Sequence, residues 1–166
     1  MKYTTKTEYG LICLINMAKR ADGTKMPIKE IALQENYPYA YVEKVFQSLR
    51  SAGIVISFQG NQGGYTLARP AKDINLKEII EALEGHTFDI FCNCDHQAKE
   101  IICNHQTGCS LKSVWSKTKD MLDQFFASIS LQMIADENIN IDHLLSRKQQ
   151  NLTNELTELN KIRENA

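Results

Sequence analysis

Four cysteines crowd into one short stretch of the chain. Cys92, Cys94, Cys103 and Cys109 fall within 18 residues, whereas the fifth, Cys13, stands alone in an apolar stretch. Thiolates are soft ligands that suit iron–sulfur clusters and zinc. In a chain without a secretory signal, such a group more often binds metal or senses redox state than forms structural disulfides. The sequence therefore predicts a metal or redox site in a loop at residues 86–109.

The rest of the sequence argues against a membrane protein, a secreted protein and an enzyme. No apolar run approaches the roughly 20 residues needed to span a bilayer. The first residues, MKYTTK, lead into an amphipathic pattern without a signal-peptide core, so we expect a cytoplasmic protein with no membrane partner. No cofactor-binding glycine motif follows a predicted strand and no Cys-x-x-Cys pair is present, so we expect no enzyme.

Charge is distributed unevenly along the chain, although its net value is only −1. Residues 1–72 hold ten Lys/Arg and five Asp/Glu, whereas residues 73–166 hold nine and fifteen. A basic half joined to an acidic half favours contact between the first half and a polyanion such as nucleic acid. Chance scatter of charges over solvated faces is the alternative.

The basic half begins with a predicted helix over residues 3–20, with Glu8 on its apolar stripe. The apolar members of that stripe are Leu11, Ile12, Ile15 and Ala18. A second, short helix is predicted to begin near Pro27. A third is predicted from about Pro38 to residue 52, with Gly53 at its end. Two such helices joined by a tight turn form a helix-turn-helix pattern.

A glycine-tipped hairpin is predicted directly after the helix-turn-helix. Residues 54–58 are β-prone, residues 60–64 are rich in glycine, and residues 65–67 return as a strand. This order is the winged-helix arrangement, in which glycines let the hairpin tip lie close to a phosphate backbone. An ordinary hairpin without a ligand is the alternative. A helix over residues 76–84, capped by Asn75, completes a predicted DNA-binding domain at residues 1–85.

A long helix is predicted at residues 110–136. Its apolar stripe consists of Leu111, Val114, Trp115, Thr118, Leu122, Phe125, Phe126, Ile129 and Met133. The simplest way to bury this stripe is against its copy in a second subunit, and packing within the chain is the alternative. The sequence thus predicts a mainly α fold with a small β-hairpin wing and a dimerisation helix. Residues 137–166 are predicted to be a polar tail.

The order of these parts resembles the bacterial Rrf-type winged-helix regulators, a family that includes IscR-like and NsrR-like iron–sulfur sensors. Residues 3–11, 28–32 with 41–53, 60–70 and 76–85 carry the likeness, which covers about residues 1–135. Cys103 and Cys109 resemble the last two cluster cysteines. The resemblance implies a homodimeric regulator that represses or activates at palindromic double-stranded DNA. It also implies a [2Fe–2S] or [4Fe–4S] cluster that reports cluster supply, nitric oxide or redox state.

A helix-turn-helix lays its second helix in the major groove with the N-terminal end foremost. Backbone contacts flank that helix, and the wing tip reaches the minor groove. The residues expected to meet DNA are Lys29, Tyr39, Ala40, Tyr41, Lys44, Arg50, Gly60, Asn61 and Gln62. Many family members have Arg before the first wing glycine, whereas this chain has Gln59.

The resemblance implies that Cys94, Cys103 and Cys109 are three of four cluster ligands. In the nitric-oxide-sensing branch a carboxylate of the first helix completes the site from the partner subunit, which matches Glu8 here. Cys92 and His105 are the alternative fourth ligands. The histidine of the IscR branch is replaced by Lys112, and eight residues separate Cys94 from Cys103, a longer gap than the family usually has.

Three other interpretations fit the same residues. Zinc could be held by four of a larger set, which comprises Cys92, Cys94, Cys103, Cys109, His96 and His105. The cysteines could also act as a thiol-redox switch or serve an electron-transfer protein. A winged helix used only for protein contacts is the last alternative, and the basic first half argues against it.

Overall fold

Six helices and one two-stranded antiparallel sheet form from the residues that the computed structural model describes: 3–21, 23–60, 63–88, 110–136 and 140. The elements are α1 (Thr5–Ala18), α2 (Ile28–Gln34), α3 (Tyr39–Ser51), β1 (Val55–Phe58), β2 (Gly64–Leu67), α4 (Leu76–Glu84), α5 (Ser110–Ala127) and α6 (Leu131–Ala135). A 3₁₀ turn at Ala71–Asp73 precedes α4. All of these elements belong to one compact unit, Met1–Asp136. The predicted mainly α fold with a β-hairpin wing is confirmed.

The buried face of α1 differs from the predicted apolar stripe. The residues that α1 buries are Thr7, Gly10, Cys13, Leu14 and Met17. Leu11 and Ile15 are only partly buried against the core, and Glu8 is exposed. The predicted stripe was wrong because the buried face of α1 is displaced from it by about one residue along the helix, so that Leu14 and Met17 are buried where Ile15 and Ala18 were expected. Gly10 also lies on the buried face, where α1 packs closely against α4. A β-carbon at this position would lie 2.5 Å from Cδ1 of Leu83.

The helix-turn-helix forms as the sequence predicts, from α2, a tight turn and α3. Asn36 adopts a left-handed conformation with φ 55°. The Tyr37 N–H then donates to the Ala32 carbonyl at 2.8 Å, which closes the turn. The face of α3 that enters the core consists of Val42, Val45, Phe46 and Leu49, all fully buried. Gly53 (φ 70°) follows α3, where a left-handed glycine ends a helix without strain.

The wing is a hairpin that is tied to the segment before α2. Val55 pairs with Leu67 and Phe58 with Gly64. Met26 and Tyr65 exchange two backbone hydrogen bonds of 2.9 Å, which attach the hairpin to the segment that leads into α2. The Lys25 ammonium lies 4.5 Å from the centre of the Phe58 ring, a cation–π contact on the outer face of the wing.

The predicted cap of α4 is confirmed, with one difference in geometry. Asn75 Oδ1 accepts a hydrogen bond from the Glu78 N–H at 2.9 Å. Glu78 does not reach back to the backbone of Asn75, as a capping box would require. Its carboxylate instead accepts from the Asn75 side chain at 2.5 Å and from Arg69 at 2.6 Å. Arg69 is thereby neutralised within the chain.

The predicted helix over residues 110–136 is interrupted, which corrects the sequence interpretation. α5 ends at Ala127, and Ser130 caps α6 by accepting from the Met133 N–H. Ile129 accepts from the Leu76 N–H and Leu131 donates to the Ile74 carbonyl, both at 2.8 Å. These two tertiary hydrogen bonds take the place of helical ones, and they place Leu131 in the core. Among the described residues, no helix is long and apolar enough to cross a membrane.

We predict that Gly64→Ala weakens the wing. An added β-carbon would lie 2.7 Å from the Met26 carbonyl oxygen, a backbone atom that cannot rotate away. The clash destabilises the folded state by about 1–3 kcal/mol. Replacing glycine also lowers the conformational entropy of the unfolded chain, which stabilises the protein by only roughly 0.4–1 kcal/mol. Urea denaturation should therefore show a net fall in the free energy of unfolding. Thr24→Ala, at an exposed site nearby, should change it by less than about 0.5 kcal/mol.

Candidate DNA interface and sensor site

One side of α3 is left open to solvent, opposite its core face. Ala40, Lys44, Gln47 and Ser51 recur at helical spacing and are all exposed. Tyr39 stands at the start of the helix with 44 % of its surface exposed. Small side chains flank Lys44 and Gln47, so these two long side chains project furthest from the helix. This open face can enter a major groove, which admits one α-helix.

Tyr41 lies on a different side of α3 from the open face. It is half-buried, and its ring packs edge-on against Tyr9 of α1 with centroids 5.3 Å apart. Tyr9 also stacks on Tyr37, in the turn of the helix-turn-helix, at 3.6 Å. We call Tyr9, Tyr37 and Tyr41 the tyrosine cluster. It joins α1, the turn and the recognition helix α3 in one contact.

The pKa of Tyr37, in the turn of the helix-turn-helix, is raised by its surroundings. Burial is the main cause that raises the pKa of Tyr37, and the carboxylates of Glu35 and Glu8 add to it. Glu35 is held in place by the Asn16 amide, which donates to it at 2.5 Å. The phenol of Tyr37 therefore stays protonated and neutral at physiological pH. Glu8 reaches this cluster through its electric field.

The two cations predicted to flank the recognition helix, Lys29 and Arg50, are both exposed. Lys29 is exposed on α2, and Arg50 donates to the Ser57 hydroxyl at 3.3 Å, which links α3 to the wing. Gly60 is exposed with φ 105°, while Asn61 and Gln62 fall outside the described residues. Arg20 is neutralised by Glu30 at 2.6 Å. Sequence reasoning missed Gln47, Ser51 and Lys25; the 3.6-residue period indicates the first two, because they lie opposite the apolar face of α3.

Glu8 is the one predicted cluster ligand that the structure describes. Its side chain is exposed on α1, and its carboxylate makes no hydrogen bond or ion pair with any described residue. Cys92, Cys94, Cys103, Cys109, His96 and His105 lie outside the described residues. The described part of the chain contains no group of three potential metal-binding side chains. An exposed carboxylate with no hydrogen bond or ion pair among the described residues can bind a group that is brought to it from elsewhere.

The start of the cysteine loop is anchored between α1 and α5. The Thr87 hydroxyl donates to Asp123 of α5, and the Thr87 carbonyl accepts from the Tyr3 hydroxyl at 3.3 Å. Burial would raise the pKa of Asp123, but hydrogen bonds from Lys119 and Thr87 lower it overall. Asp123 therefore stays charged and holds Thr87. The chain enters the cysteine loop beside the N-terminal end of α1.

Cys13 lies in the core, where it cannot join a metal site formed by the loop cysteines. Its side chain is fully buried between α1 and its neighbours. Burial, reinforced by the charge of Glu35, raises the pKa of its thiol to about 12. Since the thiolate is the form that binds metals and attacks disulfides, Cys13 is chemically silent at neutral pH.

A winged helix-turn-helix with an exposed, polar recognition helix and a basic first half defines a class: the DNA-binding transcriptional regulators. The family model described as "Iron-dependent Transcriptional regulator", Rrf2, matches residues 3–137. The chain belongs to the Rrf2 family. The predicted family and the absence of an enzymatic role are thereby confirmed, because the relatives are helix-turn-helix transcriptional regulators.

Individual relatives agree with this assignment. A helix-turn-helix regulator of Neisseria meningitidis serogroup A is 30 % identical over 142 residues, covering 86 % of this chain and 93 % of that protein. The structure of CymR, the global cysteine regulator of B. subtilis, matches with a TM-score of 0.66 at 27 % identity, covering 84 % and 99 % of the two chains. The structure of T. potens IscR matches with a TM-score of 0.62 at 31 % identity, covering 83 % and 89 %.

We predict that Cys13 resists alkylation in the folded protein. With a pKa of about 12, its thiolate fraction at pH 8 is roughly one part in ten thousand. Peptide mapping after iodoacetamide treatment should find Cys13 unmodified in buffer and modified in 8 M urea. Rapid modification of Cys13 in buffer would show that α1 opens and would contradict its place in the core.

Proposed function

We propose that this protein is a homodimeric transcriptional regulator that senses an iron–sulfur cluster. Cys94, Cys103 and Cys109 hold the cluster, and Glu8 of the partner subunit completes it. The observation that carries the proposal is the carboxylate of Glu8, which is exposed and has no hydrogen bond or ion pair among the described residues. Cys92 and His105 remain the alternative fourth ligands.

Three cysteine thiolates and one carboxylate are suitable ligands for an iron–sulfur cluster. Clusters of the [2Fe–2S] and [4Fe–4S] types take four ligand positions, most often filled by thiolates. When bound, the cluster supplies a redox- and ligand-sensitive centre. A carboxylate is a harder donor than a thiolate and the weaker partner for iron, so Glu8 would be the ligand most readily exchanged. Such a site can respond to cluster supply, nitric oxide or redox state.

The signal would travel from Glu8 to DNA through α1. Tyr9, the next residue, contacts both the helix-turn-helix turn and the recognition helix within the tyrosine cluster. Release of Glu8 would let α1 move and would change the position of α3 through these rings. Operator half-sites have a fixed spacing, so a small shift between two recognition helices changes affinity for palindromic DNA.

The second subunit would pack on α5. Leu111, Val114, Trp115 and Met121 are exposed on this helix, Val114 by 57 % and Met121 by 62 %. Monomeric proteins rarely leave a contiguous apolar stripe of this kind in water. A two-fold axis along α5 would bury the stripe against its copy.

A second candidate function has an observation in its favour. The chain is about as similar in structure to CymR, a cysteine regulator, as to IscR. A regulator without a cluster would use the same loop cysteines as a thiol-redox switch or as a structural zinc site. Iron, sulfide and zinc content distinguish these candidates from the proposed cluster.

We predict that Glu8→Gln lowers cluster retention without unfolding the protein. Anaerobically purified wild-type protein should be brown and contain matched iron and sulfide. Glu8→Gln should lose most of its iron after brief exposure to air, because an amide binds iron more weakly than a carboxylate. The exposed Asp73→Asn removes the same charge and should retain the iron of the wild type.

The outcomes separate the alternatives. If Glu8→Gln and Asp73→Asn keep equal iron, then Glu8 is not a ligand and Cys92 or His105 becomes the fourth. A colourless wild-type protein with one zinc per chain would overturn the cluster proposal and leave a zinc-stabilised regulator. A colourless protein without metal would favour the thiol switch.

We predict that Val114→Glu disrupts the dimer. The substitution places a charge in the centre of the apolar stripe of α5, where desolvation opposes its burial. Light scattering after size exclusion should give the mass of one chain for Val114→Glu. The neighbouring Ser113→Glu adds the same charge on the other side of the helix and should keep the mass of two chains. A dimeric Val114→Glu would contradict the proposed interface.

A further inference from the structure

The start of α1 and the end of α4 are joined by two charged side chains. The Glu84 carboxylate, at the last residue of α4, accepts from the Thr4 N–H at 2.9 Å, from the Thr4 hydroxyl at 2.6 Å and from the Thr7 hydroxyl. The Lys6 ammonium donates in the opposite direction, to the Leu83 carbonyl at 2.8 Å. A negative charge at the N-terminal end of a helix and a positive charge at the C-terminal end are both favourable. We call these five residues the α1–α4 clamp.

The buried part of the clamp is the hydroxyl of Thr7, a residue with only 4 % of its surface exposed. A buried hydroxyl needs a hydrogen-bond partner, and the Glu84 carboxylate supplies it. Burial would raise the pKa of Glu84, but hydrogen bonds from Thr4 and Thr7 and the charge of Lys6 lower it overall. Glu84 therefore stays charged at neutral pH and keeps its place between the two helices.

The clamp bears on Glu8 through Thr4, the N-cap of α1. The Thr4 hydroxyl accepts from the Lys6 N–H at 3.3 Å. Its carbonyl accepts from the N–H groups of Thr7 at 3.0 Å and Glu8 at 3.5 Å. The first turn of a helix lacks the preceding turn that would hold its N–H groups, so it depends on its cap. By fixing Thr4, Glu84 fixes the backbone from which the Glu8 side chain projects.

The segment that supplies Glu84 also leads into the cysteine loop. Thr87 follows three residues later, and its carbonyl accepts from the hydroxyl of Tyr3, the residue before the N-cap. Residues 83–87 are thus bonded to residues 3–7 through Leu83, Glu84 and Thr87. The chain that continues to the predicted ligand cysteines is therefore tied to the turn that precedes Glu8.

We propose that Glu84 is a positioning residue of the sensor, which fixes the first turn of α1 so that Glu8 can complete the cluster. This inference rests on the proposed cluster function. A ligand on an ordered turn binds more strongly than the same ligand on a frayed turn, because no ordering entropy opposes its binding. Residues that orient a metal ligand in this way commonly affect metal retention although they do not touch the metal.

Glu84→Ala tests the proposal in the full-length protein, purified without oxygen and then exposed to air. It should lose iron about tenfold faster than the wild type, the usual effect of removing a residue that orients a metal ligand. Glu84→Gln keeps an acceptor for Thr4 and Thr7 and should lose iron more slowly than Glu84→Ala. Glu81→Ala is the matched control, because it removes an exposed carboxylate one turn earlier on α4, and it should retain the iron of the wild type.

Hydrogen exchange measures the clamp without reference to iron. In Glu84→Ala the backbone amides of residues 5–9 should exchange roughly fivefold faster than in the wild type, as expected for a weakened helix cap. The core residues of α3, 42–49, should remain as protected as in the wild type. Glu81→Ala should leave both segments unchanged. Equal exchange of residues 5–9 in Glu84→Ala and Glu81→Ala would contradict the clamp.

A second pair of variants decides the matter if Glu84→Ala loses protection throughout α3 and so fails to fold. Thr4 is exposed, and its substitution leaves the core intact. Thr4→Ala removes a hydrogen bond to Glu84 and should lose iron faster than the wild type, whereas Thr4→Ser keeps the hydroxyl and should not. Equal loss by these two variants would then count against the proposal.

The double variant Glu8→Gln/Glu84→Ala separates positioning from general stability. It should lose iron no faster than Glu8→Gln, because positioning a ligand that is absent has no effect. Additive losses would show that Glu84 only stabilises the fold and would overturn the inference. In an iron-containing wild type, equal iron in Glu84→Ala and Glu81→Ala would overturn this inference alone. A wild type without iron would overturn the cluster function itself and, with it, the role assigned to Glu84.

Discussion

Gly10 lets α1 pack against α4 and α3 at a separation that a β-carbon would disturb. Leu83 Cδ1 lies 2.5 Å and Val45 Cγ1 lies 3.3 Å from the position such an atom would take. This contact brings the N-terminal end of α1 to α4, where Lys6 bonds to the Leu83 carbonyl. It also brings Tyr9 onto the turn and the recognition helix. The tyrosine cluster therefore depends on the close packing of α1 that Gly10 permits.

The first helix, α1, has a role on its outer face as well as in the core. Its inner face is made of small or apolar residues, its first turn is capped by Thr4 and by Glu84 from α4, and its outer face carries the carboxylate proposed as a ligand. Tyr9, the residue after Glu8 on this helix, contacts both the turn of the helix-turn-helix and α3.

The interrupted helix shows how backbone pairing can override a side-chain pattern. The apolar stripe from Leu111 to Met133 fits one continuous helix, yet the chain leaves the helix after Ala127. Ile129 and Leu131 find backbone partners on Leu76 and Ile74. Ser130 then caps the next helix, so the backbone groups of the break are satisfied and the break costs little. The exposed part of the stripe is left on α5, the helix on which the proposed second subunit would pack.

Several parts of this fold are determined by short stretches of sequence. The turn at Asn36, the end of α3 at Gly53, the cap at Asn75 and the wing between β-prone runs each follow from a few adjacent residues, and all are read from the sequence. The grouping of the cysteines and the resemblance to a regulator family are also recognised from the sequence alone. The sequence pattern does not indicate which face of α1 is buried, where the long helix ends or how Lys6 reaches the end of α4. These features depend on contacts between residues some 40 to 80 positions apart, and only the tertiary structure brings those residues together.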